Sequence, residues 1–231
     1  MRKIFLLVLI VLSLGLNAQS FYKGALVTEV RTGLEIYNAF VSAHHTGGNR
    51  TIDTIYTDKA GNTYFGLGAE YGLHKYVGVG LSFNSHKYLT DKDTVTNTRP
   101  LSRANNIMAM VNIHPITTKK FDLVVGADFG YSGFKMQSND SLNTYVKGTG
   151  FCFSGYLNPR IYFGNFGIQF KLSTPFARYG NVTTNNESFN KNNSYNWIKF
   201  SAAWGIGFGI QYRFLKDKSS VKEDTKLNDV R

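Results

Sequence analysis

Disulfide crosslinks can be set aside at once, because the 231-residue chain contains one cysteine, Cys152. A lone thiol closes no internal bridge, so stability has to come from burial and hydrogen bonding. Long apolar runs are missing after Ala18, and mean hydropathy is slightly negative. A search for membrane helices would therefore class the mature chain as soluble. That search does not see β-strands, whose alternating apolar and polar residues average out. Long blocks of consecutive Lys and Arg are missing too, although the formal net charge is +11. A basic protein without such blocks is a poor candidate for nucleic-acid binding, and no nucleic-acid partner is expected. On an exported chain the charge reads as a surface facing anionic lipid head groups.

What is present begins with an export signal. Arg2 and Lys3 precede an apolar run from Ile4 to Leu16, and Asn17-Ala18-Gln19 offers a small-residue cleavage point. That is the layout of a secretory signal peptide. The run is too short to span a bilayer as a helix, which takes roughly 20 residues. Three regions are expected: a cleaved signal peptide over 1–18, one folded domain over 19–214, and a disordered tail over 215–231. The tail mixes both charges and has few apolar residues, a composition that does not support a packed core.

The folded region is dominated by period-two alternation. From Ile198 to Phe214 one face carries Ile198, Phe200, Ala202, Trp204, Ile206, Phe208, Ile210, Tyr212 and Phe214. The other carries Lys199, Ser201, Ala203, Gly205, Gly207, Gly209, Gln211 and Arg213. Similar alternation recurs around Leu26–Ile36, Phe65–Tyr71, Val77–Phe83, Ile107–Ile113, Leu123–Tyr131, Phe151–Phe163 and Phe166–Leu172. That predicts eight strands. Their connections alternate in length. Short ones fall at 72–75, 116–120 and 164–165, and long polar ones at about 44–62, 88–103, 137–147 and 180–196. Short inner turns and long outer loops are the pattern of an outer-membrane barrel, with both termini in the periplasm.

The expected fold is therefore all-β, an eight-stranded antiparallel up-and-down transmembrane β-barrel in a bacterial outer membrane. Volume decides which face points out. An eight-stranded interior is just filled by side chains. The faces rich in Phe, Tyr, Trp, Ile and Leu are too bulky for it, whereas the Gly- and Ser-rich polar faces fit. Phe200, Trp204, Ile206, Phe208, Ile210, Tyr212 and Phe214 are accordingly expected to face lipid. Tyr71, Phe121, Phe163 and Phe166 join Tyr212 and Phe214 as an aromatic girdle near the short turns. Pro159 and Pro175 each remove a ladder hydrogen bond. Pro159 is expected at a bulge, and Pro175 above the membrane band.

Several of these segments resemble a known family. Glu70-Tyr71-Gly72 precedes a short turn and then Val77-Gly78-Val79-Gly80-Leu81. Phe121-Asp122-Leu123 leads into Gly130-Tyr131-Ser132-Gly133, and Asn158-Pro159-Arg160-Ile161 comes before Tyr162-Phe163. Together they resemble the small outer-membrane β-barrel domain abundant in Bacteroidetes, related in architecture to OmpA/OmpX-type barrels. The resemblance implies fold and location more than activity. It also implies a final aromatic residue read by the barrel-assembly machinery, a role that Phe214 matches although residues 215–231 follow it.

Charged side chains inside such a barrel must be paired or wet. Glu29, Arg31, Glu35, Glu70, Asp128, Arg160, Lys171, Lys199 and Arg213 are expected to form a lumenal ion-pair network that plugs the interior. The runner-up reading is a narrow, low-conductance pore, and a third is a lipid-modifying enzyme. His44, His45, His74, His86 and His114 are spread over loops and strand ends, and Cys152 reads as a small filler. No catalytic, cofactor-binding or metal-binding residue is expected, and the chain is not expected to be an enzyme. The expected role is structural or adhesive. Partners would be outer-membrane lipid, the assembly machinery during biogenesis and an unknown extracellular ligand at the long loops; the chain would be a monomer. Asp53-Thr54-Ile55, Asp93-Thr94-Val95 and Asp140-Ser141-Leu142 resemble the short O-glycosylation signal of Bacteroidetes.

Overall fold

The computed structural model describes residues 20–47, 50–91, 99–138 and 143–214. The expected signal peptide, the expected tail and the motifs at 93–95 and 140–142 lie outside these residues. Eight strands follow one another in chain order. They are β1 (Leu26–Gly47), β2 (Arg50–His74), β3 (Val77–Tyr88), β4 (Leu101–Thr117), β5 (Phe121–Gln137), β6 (Tyr145–Phe163), β7 (Phe166–Thr184) and β8 (Asn193–Phe214). Each pairs antiparallel with the next, and β1 pairs with β8 from Leu26↔Phe214 upward, which closes the ring. A closed ladder leaves no edge, so backbone groups along the wall are satisfied without water. Turns at Lys75–Tyr76 and Gly164–Asn165 and the short link 118–120 lie at one mouth. That mouth also holds Leu26 and Phe214.

The two faces follow the alternation. Trp204 is 76% exposed, Phe208 59% and Ile210 60%, and Leu81, Ile107 and Phe166 on other strands are comparably exposed. The inward residues Ser82, Asn106 and Gln169 on the same three strands are buried. Large apolar side chains outside and polar ones inside invert the arrangement of a protein dissolved in water.

Two glycines show how the seam closes. Gly33 on β1 sits opposite Gly207 on β8 and opposite Tyr64 on β2. The Tyr64 ring lies over both, and a Cβ at Gly33 would stand 2.6 Å from Tyr64 Cε1. Small residues here make room for an inward aromatic ring.

The structure corrects several expectations. β8 carries one extra residue between Ser201 and Trp204, a bulge visible against both β1 and β7. A one-residue insertion reverses the facing of everything beyond it. Phe200, expected in lipid, is therefore buried inside at 5% exposure. Lys199, expected in the lumen, turns outward and lies 4.4 Å above the Phe40 ring. Pro175 lies beside this bulge, inside the Ser173/Ala177 register shift. Pro159 has no bulge: the β6–β7 pairing lapses at Asn158 and Pro159 and resumes at Arg160 without an inserted residue. The polar stretch 44–62 is not a loop but the end of a long β1–β2 hairpin paired to Gly47↔Arg50. Asp53-Thr54-Ile55 thus lies on a strand. The stretch 180–196 likewise shortens to the end of β7, a single helical turn α1 (Glu187–Asn190) and the start of β8.

If the outward face meets hydrocarbon, Phe208→Arg should cost about 2–4 kcal/mol near the bilayer midplane, and Phe208→Leu should cost less than about 1.5 kcal/mol. Urea titration of the barrel folded into phospholipid vesicles measures both. Equal stability for the two variants would contradict the facing.

Candidate functional site

The bore is filled at successive levels. At the mouth that holds Leu26 and Phe214, the segment before β1 folds back under the barrel. Phe21 is fully buried and stacks on His114 with centroids 3.6 Å apart. Ser20 hydrogen-bonds to Thr117 and donates to the Phe121 carbonyl, and Arg213 donates to the Ser20 carbonyl at 2.5 Å. Above Phe21 the His114 ring has a carboxylate at each nitrogen, Asp122 at 2.9 Å and Glu70 at 2.8 Å. An imidazolium, donating from both nitrogens, satisfies that geometry. Arg160 donates to Glu70 at 2.7 Å and lies 3.6 Å from Glu29 and 3.8 Å from Asp122.

The chain of charges continues upward. Glu29 pairs with Arg31, and Arg31 reaches Asn84 at 3.1 Å and Asp128 at 3.7 Å. Lys171 donates to Asp128 at 3.0 Å and sits 3.5 Å above the Tyr156 ring, whose hydroxyl donates to Asn112 and Asp128. Higher still, Glu35 accepts from Tyr37 and Asn62 and faces His86 at 3.1 Å. His86 in turn hydrogen-bonds to Asn106, which accepts from Ser132. Among the described residues, five buried carboxylates (Glu29, Glu35, Glu70, Asp122, Asp128) face Arg31, Arg160, Lys171 and Arg213 with two histidines. Near-neutral balance lets these charges share a bore with little water. A cavity of about 20 Å³ lined by Arg31, Glu35, Tyr64, His86 and Lys171 has room for roughly one water molecule.

Above the charges the filling turns apolar. Tyr88 stacks on Phe200 at 4.9 Å, Phe134 meets Tyr88 edge-on, and Tyr37 and Tyr179 meet Phe200 edge-on. Cys152, Ala104, Met108 and Ala177 complete this layer. Its upper surface is the floor of an open cup of about 570 Å³, walled by Ala39, Val41, Ala60, Met136, Val146 and Ile198. Asp58, Lys59, Thr90 and Asp91 stand at its rim. The inner faces of the β1–β2 hairpin and of the start of β8 prolong the wall through Val41 and Tyr195, where Phe189 of α1 stacks on Tyr195 at 4.6 Å. Burial pushes the Tyr195 phenol above its ordinary range. On the same hairpin His44 lies 2.7 Å from Asp53 and His45 lies 2.5 Å from Asn193. The hydrogen bond from His44, with a second from Asn196, holds the Asp53 carboxyl below its usual range. Among the described residues no group of three or more His, Cys, Asp and Glu gathers to hold a metal.

Of the residues expected in the lumenal network, the structure brings Glu29, Arg31, Glu70, Asp128, Arg160 and Lys171 into one chain of contacts. Glu35 belongs to a separate cluster with His86, Arg213 binds the N-terminal segment, and Lys199 is outside. Sequence reasoning missed Asp122, His114 and His86 as members, although each sits at an inward position of its strand. It also missed Phe21, which precedes the first strand and has no alternation to betray it.

Comparison with known proteins adds the fold and little more. No protein-family model and no curated protein matches the chain. Among solved structures, the outer membrane protein OprG from Pseudomonas aeruginosa is similar with a TM-score of 0.52 and 14% identity, over 85% of this chain and 98% of that one. Neisserial surface protein A is similar with a TM-score of 0.46 and 10% identity, over 83% and 100% of the two chains. The outer membrane protease OmpT from Escherichia coli has a TM-score of 0.45 and 10% identity, over 86% and 99%. The chain thus has the fold of an outer-membrane β-barrel. The expectation that it is not an enzyme is withdrawn, because a fold by itself assigns no activity.

Removing Arg160 leaves Glu70 and Glu29 facing each other without their shared cation. Arg160→Met should therefore cost about 3–5 kcal/mol, and Arg160→Met with Glu70→Met should recover part of it. Urea unfolding of the folded barrel checks this, and a harmless Arg160→Met would refute the network. At the hairpin the sign is that of a depressed carboxyl. The His44–Asp53 contact is complete above the ordinary carboxyl range and is lost as pH falls through the lower folded value. His44→Ala should raise the Asp53 titration midpoint, followed by NMR, and an unchanged midpoint would contradict the contact.

Proposed function

We propose that this is an integral protein of a bacterial outer membrane that works through its outer end, binding at the cell surface while its wall stays anchored in lipid. The observation that carries the reading is the contrast between the two ends of the bore. The inner mouth and the middle are filled, whereas the outer end opens into an apolar cup. The volume of that cup lies within the roughly 300–1,000 Å³ of small-molecule sites. An aromatic floor with a polar rim suits a ligand, or one part of a larger ligand, that has an apolar body and a polar end. Export would use the signal peptide over 1–18, and insertion would use the barrel-assembly machinery with Phe214 as the terminal aromatic residue. Both termini would then be periplasmic, as the shared position of Leu26 and Phe214 supports. The resemblance to barrels of Bacteroidetes supports the same location, and a closed wall supports a monomer. Conduction is the weaker reading, since a pathway would have to cross the aromatic layer, the ion-pair chain and Phe21.

Two measurements test this. The folded barrel in a planar bilayer should give no discrete conductance steps, and steady steps would overturn the closed bore. In vesicles it should enhance the fluorescence of the apolar probe N-phenyl-1-naphthylamine. Ala60→Trp, which fills the cup, should weaken that binding by about ten-fold. Equal enhancement by both proteins would remove the cup as the site.

A further inference from the structure

The outer surface carries a row of cations that the bore and the cup do not explain. Lys87 on β3 pairs with Arg103 on β4, Arg103 pairs with Lys135 on β5, and Lys135 pairs with Lys147 on β6. All four are exposed on the outward face. Four like charges on four adjacent strands is an arrangement a sheet does not favour, since directly opposed like charges are destabilising. Among the described residues none of the four lies in a salt bridge, because every ion pair involves other groups. Their same-face neighbours along the strands are also uncharged: Ser85, Asn105, Gly133 and Thr149 on one side, Leu101 and Gln137 on the other. Tyr145 stands between the last two cations, with Lys135 and Lys147 amines 5.5 and 5.4 Å from its ring.

The height of the row says what the counter-charge is. Phe83, Ile107, Tyr131 and Phe151 form a parallel row of consecutive partners, the last complete row of large apolar side chains before the cations on these strands. The cations lie four residues further along each strand, about 13 Å at roughly 3.3 Å per residue. A strand tilt of about 40° reduces that to roughly 10 Å of height. Long basic side chains bend back toward the interface, so their charges come within reach of the headgroup layer. Three strand spacings make the row about 14 Å long, and because it runs perpendicular to strands tilted by about 40° it rises by roughly 9 Å from end to end, enough for more than one anionic group.

We propose that this row binds the phosphorylated headgroup of an outer-leaflet lipid, its four cations bridging more than one phosphate. The proposal rests on the reading above that the β1–β2 hairpin marks the outer end of a membrane barrel.

Titration of the detergent-folded barrel with diphosphoryl lipid A, followed by native mass spectrometry, tests it. Wild-type protein should retain the lipid. The variant Lys87→Gln, Arg103→Gln, Lys135→Gln, Lys147→Gln should retain it at least about ten-fold more weakly, since each basic group near an anionic surface contributes. Lys119→Gln with Lys120→Gln, the same kind of loss at the opposite mouth, should leave retention unchanged. The double variant Lys135→Gln, Lys147→Gln should fall between, which keeps the test valid if the quadruple variant does not fold. Equal retention by wild type and the double variant would overturn the proposal. So would displacement of the lipid by inorganic phosphate or by sucrose octasulfate as readily as by more lipid, which would make the row a site for soluble anions. Heat-modifiability in lipid vesicles reports separately on the barrel. A protein that fails to insert refutes the membrane reading, whereas one that inserts but ignores lipid A refutes only this site.

Discussion

A wall one strand thick is the constraint on which everything else in this molecule depends. Such a wall has no core of its own, and successive side chains must serve two different surroundings. Closing it removes the sheet edges but fixes the interior volume, which eight strands leave just large enough for side chains. The inward set must therefore fill the bore, and because the outward set is apolar, the polar residues go inside. That is why Glu29, Glu70, Asp128, Arg160 and Lys171 meet in one chain of contacts, and why Gly33 and Gly207 give way to the Tyr64 ring.

The same filling separates the two ends. At the mouth that holds Leu26 and Phe214 the chain closes on itself, with Phe21 beneath His114 and Arg213 tied to Ser20. Toward the opposite mouth the β8 bulge turns Phe200 and Ile198 inward, and they join Tyr88 and Phe134 in an apolar layer that faces the cup. One inserted residue thus converts the top of a polar bore into a hydrophobic surface. The bulge also turns Lys199 outward, where it lies 5.6 Å from the Trp197 ring alongside Arg178. The apolar floor of the cup and the outward position of Lys199 share this cause.

Much of the architecture is legible in the residues alone. Strand number, order and facing follow from alternation, because lipid and bore impose opposite demands on adjacent positions. What escapes is whatever breaks the period. The bulge near Ser201 leaves no local mark, since Phe200 and Trp204 sit at matching parity and only the pairing with β1 and β7 shows the extra residue. The β1–β2 extension escapes for a different reason. Above the membrane no apolar solvent enforces alternation, so His44 to Asn62 reads as a polar loop while its backbone still pairs. The lumenal network was half visible. Charged residues at inward positions could be picked out one by one. Their partners could not, because His114 meets Glu70 and Asp122 across three different strands, and only the barrel's closure sets those distances.

The most direct test of the inverted wall uses the protein's own tryptophans. With Trp197 replaced by Phe, Trp204 remains as the single reporter, 76% exposed on the outward face. The folded barrel is placed in vesicles whose lipids carry bromine on the acyl chains, and Trp204 fluorescence is compared with that in unbrominated lipid. Strong quenching by acyl-chain bromine, together with protection from a water-soluble quencher, is the result this account predicts. Protection from bromine with full access to the aqueous quencher would mean that the apolar face does not meet lipid.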